Sequence, residues 1–125
     1  MKFTAICENH LFSKAYSKGK RVVTKNVAVY LLPDYAAKRL MRAHPMKIKV
    51  NRIGITASKK IGGAVVRNRA KRIIREAYRT VNREHKLKVG YLIVIAARDA
   101  AKNVKSGVIA NDLRYAFGKL DLFEK

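Results

Sequence analysis

The chain has 125 residues, 49% of them hydrophobic, which suits one domain with a real core and excludes a disordered basic tail. Lysine and arginine number 29 against 8 acids, a net charge of +21, and that imbalance is the electrostatic footprint of a nucleic-acid partner. Cys7 stands alone, which excludes an intrachain disulfide and a thiolate zinc site, and no apolar run approaches the ~20 residues of a membrane span or the core of a signal peptide, so a cytoplasmic location is expected.

Residues 1–8 are expected to be extended or loose. Asn9 can cap a short helix over residues 10–17 that Gly19 ends. Phe12 and Tyr16 stand four apart and share one face of it. Two readings stay open for them, core packing or an exposed platform on which unpaired bases stack. Residues 20–32 read as strand, with a break at Lys25-Asn26. Val27, Val29 and Leu31 point one way, and Ala28 and Tyr30 the other. Pro33-Asp34 closes that strand, and residues 34–43 form a short helical excursion bounded by Pro45.

Residues 46–58 read as a second long strand, with Ile48, Val50, Ile53 and Ile55 as its apolar positions. The parity shift after Val50 predicts a bulge near Asn51-Arg52 or burial on both faces. The principal helix runs from about residue 63 to residue 82. Val66, Ala70, Ile73, Ile74, Ala77 and Val81 form its apolar stripe, which spans an arc of roughly 100°. Asn68, Lys71, Arg72, Arg75 and Arg79 fall opposite, while Arg67 and Arg69 flank the stripe. Lys71, Arg75 and Arg79 repeat at spacing four, so their repulsion accumulates unless a polyanion neutralises it. Arginine's planar fork suits phosphate. Residues 91–97, YLIVIAA, read as a buried central strand opened by Gly90. After a polar connection over residues 98–106, a last helix is expected to run to about residue 123, with Val108, Leu113, Ala116, Phe117 and Leu120 buried.

The order is α-β-β-β-α-β-α in a single α+β domain, residues 1–125. Strand, helix and strand around the basic helix predict parallel pairing of the long strand with YLIVIAA. No active site assembles from these residues. His10, His44 and His85 lack ligand spacing and read as surface residues, the acids are few and dispersed, and Gly62-Gly63 matches neither a dinucleotide fingerprint nor a P-loop. No catalytic residue and no metal ligand is assigned.

Residues 58–75, SKKIGGAVVRNRAKRIIR, resemble the protein subunit of bacterial ribonuclease P. The family signature is similar to S-K-K-x-G-x-A-V-x-R-N-R-x-K-R-x-x-R, and Phe12, Tyr16 and Gly19 match its N-terminal F-x-x-x-[FY]-x-x-G. The resemblance implies an α/β sandwich similar to domain 2 of ribosomal protein S5, with a left-handed β-α-β crossover where ordinary topology favours the right hand. It implies a tRNA-processing ribonucleoprotein endonuclease whose catalysis is carried by the RNA subunit, with Mg²⁺ bound mainly by that RNA. Lys59, Lys60, Arg67, Asn68, Arg69, Lys71, Arg72, Arg75 and Arg79 would bind the RNA subunit, whereas Phe12, Tyr16 and Tyr30 would receive the 5′ leader of precursor tRNA. No membrane and no stable protein partner is required. Two departures stand out: Gly63 where the family often has asparagine, and the long excursion at residues 34–45.

A ribosomal or general RNA-binding protein of similar fold is the rival reading. It needs only the basic patch and not the aromatic trio. A protein-only nuclease would need a carboxylate cluster, and a membrane surface would favour one juxtamembrane cluster of charge.

Overall fold

The computed structural model describes residues 4–5, 9–33, 51–88 and 90–123. In chain order these form β1 (Thr4–Ala5), α1 (Asn9–Lys18), β2 (Lys20–Val23), β3 (Val27–Pro33), β4 (Arg52–Ala57), α2 (Ala64–Glu84), β5 (Tyr91–Ala97) and α3 (Ser106–Lys119), with short 3₁₀ turns at Lys59–Ile61 and Asp99–Asn103. The strands make one mixed sheet in the order β1-β4-β5-β3-β2. β5 runs parallel to β4 and antiparallel to β3, so α2 connects two parallel neighbours as the sequence predicts.

Strand parity divides the sheet into two faces. Val27, Val29 and Leu31 lie on one, aligned with Ile93, Ile95 and Ile53, and pack with Ile74, Val81, Leu113 and Phe117 of α2 and α3. The other face carries Leu32, Leu92 and Val94 against Ala15 of α1, with Phe12 and Tyr30 at the margin. β5 is covered on both faces, which is why its sequence runs apolar without alternation. Gly19 ends α1 where the helix meets β3. A Cβ there would fall 2.5 Å from the Ala15 carbonyl oxygen and 3.0 Å from that of Leu31.

Of four expectations, two fall wholly or partly outside the described residues and two are modified. Of the strand expected over residues 46–58, residues 46–50 lie outside the described residues and the ladder begins at Arg52. The helix expected over residues 34–43 also lies outside them. The stripe of α2 includes Tyr78, which is absent from the expected stripe, and α2 extends to Glu84.

The fourth concerns α3, which stops at Lys119 rather than near residue 123. Asp121 adopts a left-handed φ of 56°, its N–H reaches the Gly118 carbonyl, and the Leu122 N–H reaches that of Phe117. This pair of bonds is a Schellman C-cap, which turns the chain so that Phe123 bridges to Leu87. Val108 is 44% exposed, and Ile109 and Ala110 take the burial expected of it. One residue is about 100° of rotation, enough to move a side chain off the buried arc.

Candidate nucleic-acid interface

α2 buries Ala70, Ile74, Ala77, Tyr78 and Val81, which fixes its rotation on the sheet and on α3. Asn68, Arg69, Arg72 and Arg79 are consequently exposed, and Lys71 and Arg75 are half-buried at the edge of the same surface. Val65, Asn68, Arg69, Lys71, Arg72 and Arg75 line an open groove, with Val65 itself 84% exposed. Arg67 differs from its neighbours. It lies half-buried beside the apolar stripe, and its Nε is buried without a hydrogen-bond partner. Lys60 is exposed on the turn before α2, while the Lys59 side chain lies outside the described residues. The first turn of α2 contains no acid, and Gly63 offers no side-chain cap, so its backbone N–H groups add to the positive end of the helix.

The aromatic residues gather on the other face of the sheet. Tyr16 projects from α1 and is 44% exposed, and its ring meets that of Tyr30 on β3 edge to face at 4.8 Å. Tyr16 Oη shares a 3.2 Å hydrogen bond with Thr56 Oγ1 on β4. Phe12 and Tyr30 are half-buried against Ala15, Leu32, Leu92 and Val94. The sheet thus supports one side of each ring and leaves Tyr16 partly open. The sequence reading named the trio by resemblance but did not single out Thr56. The signal was available in parity, since Thr56 alternates with the core residues Ile53 and Ile55, and it aligns with Ala96 and Ala28 on the Tyr30 face.

The acids whose contacts are resolved hold elements together. Asp112 Oδ2 accepts from Thr24 Oγ1 at 3.0 Å and from Asn26 Nδ2 at 2.8 Å, tying α3 to the turn between β2 and β3. Glu84 takes two bonds from Arg114, and Asp121 pairs with Lys88 at 3.1 Å. Among the described residues no three His, Cys, Asp or Glu side chains come together as a metal site, and no helix is long and apolar enough to cross a membrane. His85 is exposed and its ring lies 5.0 Å from that of Phe123.

Two surfaces of different chemistry, an arginine-rich helix face and a tyrosine pair on the opposite face of the sheet, frame the comparison with known proteins. The family model for Ribonuclease P matches residues 2–121. The ribonuclease P protein component of Clostridium acetobutylicum is 35% identical over 122 residues, covering 98% of this chain and 92% of that protein. That of Clostridioides difficile is 34% identical, covering 89% and 86%. The RNase P protein of Staphylococcus aureus superposes with a TM-score of 0.74 at 29% identity, covering 98% of this chain and all of that one. The Thermotoga maritima protein, at 21% identity and a TM-score of 0.67, shares the fold. The chain belongs to the ribonuclease P protein family, the protein component of the tRNA-processing ribonucleoprotein, whose partner is the ribonuclease P RNA.

Proposed function

We propose that the two surfaces divide the labour of this subunit. The α2 face, with Lys59 and Lys60 ahead of it, binds the RNA subunit through Arg67, Asn68, Arg69, Lys71, Arg72, Arg75 and Arg79. Phe12, Tyr16 and Tyr30 receive the single-stranded 5′ leader of precursor tRNA. The carrying observation is the tyrosine pair: Tyr16 keeps 44% of its surface open while its ring is braced at 4.8 Å by Tyr30. A ring meant only for the core would be sealed, whereas a braced and open ring is what base stacking needs. A general RNA-binding protein would have no need of it.

In this reading the whole chain, residues 1–125, acts as one domain in the cytoplasm, and the hydrolysis belongs to the RNA. Mg²⁺ enters as ions held by that RNA. The chain's own work is assigned to its cations and its aromatic rings. That work is electrostatic and positional. Cations on α2 reduce repulsion between two polyanions, and the aromatic face holds the leader in register with the cleavage site.

The test is cleavage of a precursor tRNA at low Mg²⁺ by a bacterial ribonuclease P RNA, by this protein, and by both together. Cleavage at the mature 5′ end only with both supports the reading. Tight RNA binding without stimulation of cleavage would favour the general RNA-binding alternative.

A further inference from the structure

We propose that Thr56 is a positioning residue for the leader: its hydroxyl fixes the Tyr16 ring in place across the sheet. The inference rests on the leader-binding reading given above. Tyr16 belongs to α1 and Thr56 to β4, and their hydroxyls meet at 3.2 Å across 40 residues of sequence. Tyr16 also touches Tyr30 on β3, and β5 separates β3 from β4 in the sheet. The side chain therefore bridges over β5, held at one end by a ring contact and at the other by a hydrogen bond.

The sheet beneath gives little lateral restraint. The row through Thr56 continues with Ala96 and Ala28, and Gly54 occupies β4 in the row of Val94 and Tyr30. These side chains are too small to wedge a tyrosine from the side. Removing the Thr56 hydroxyl leaves the edge-to-face contact with Tyr30 as the main brace, and the ring gains rotational freedom that stacking must then take away. Threonine is suited to the task, because its branched Cβ restricts χ1 on a strand and so fixes the direction of the hydroxyl.

Thr56 is also near the basic surface. Three residues separate it from Lys60 on the turn that leads into α2. The anchor of the aromatic face and the approach to the arginine face are thus parts of one short connection. A purely structural role would be served by valine, which has the same shape and an equal liking for strands. The hydroxyl is what distinguishes the two.

The experiment uses holoenzyme reconstituted with a bacterial ribonuclease P RNA. It compares affinity for a precursor tRNA carrying a leader of several nucleotides with affinity for the same tRNA without one. The ratio of the two affinities is the readout. Thr56→Val and Tyr16→Phe should each lower that ratio by about three- to tenfold, the scale of one net hydrogen bond. Combined they should lower it no further than either alone, since both remove the same bond. Thr56→Ser should retain the ratio. An unchanged ratio in Thr56→Val, or additive losses in the double variant, would overturn the proposal. Tyr30→Ala separates the two levels of the argument. If it collapses the ratio while Thr56→Val does not, the leader face stands and the positioning role fails. If neither variant moves the ratio, both fail.

Discussion

Burial pushes the Tyr78 hydroxyl up from 10.0 to about 12, while its hydrogen bond with Asn51 pulls the other way. The folded protein therefore holds this proton at a pH where the unfolded chain has released it. Stability is unaffected below pH 10 and falls as pH rises from 10 towards 12, by up to about 2–3 kcal/mol. Tyr78→Phe should remove this alkaline limb. The check is the difference between wild-type and variant unfolding free energies across that range, which cancels the titration of the many lysines. Asn51 keeps partners in the variant, because its side chain also donates to the Lys88 carbonyl at 2.8 Å and accepts from the Tyr91 N–H at 3.0 Å.

Among the elements, α2 and α3 make separate predictions. Arg72 is exposed on α2, so Arg72→Ala should lower the slope of log affinity for the RNA subunit against log salt by about one, with the unfolding midpoint of the protein unmoved. Arg67→Ala should lower both, because its stem is packed beside the apolar stripe. Salt titrations of binding, read beside denaturant titrations of the free protein, distinguish the two arginines. On α3 the critical contact is Asp112. Asn26 is 3% exposed, and Asp112→Ala would strand its amide, at a cost of about 1–3 kcal/mol in denaturant unfolding. Asp112→Asn can still present an acceptor oxygen and should cost less.

At the scale of the whole molecule the dominant fact is a net charge of +21 on 125 residues. Self-repulsion destabilises the compact state, and anions that bind the folded surface offset it. The thermal midpoint should rise in sulfate more than in chloride at equal ionic strength, followed by circular dichroism. Equal effects of the two salts would reduce the gain to screening alone. The groove lined by Asn68, Arg69, Lys71, Arg72 and Arg75 is where such anions would gather.

Much of this architecture was legible in the chain. Composition and charge named a polyanion as partner, helical periodicity gave the rotation of α2, and strand parity placed Val29 and Tyr30 on opposite faces of the sheet. The residues at 58–75 carried the family signature. These signals are local, because each depends on spacings of two to four residues that the backbone repeats. What the tertiary structure decided has no such period. The Tyr16–Thr56 bond spans 40 residues and the Asn26–Asp112 bond 86, and beyond the Schellman turn Phe123 bridges to Leu87. Pairings of that kind are chosen when preformed faces dock, by which polar group is left needing a partner once the apolar surfaces have closed.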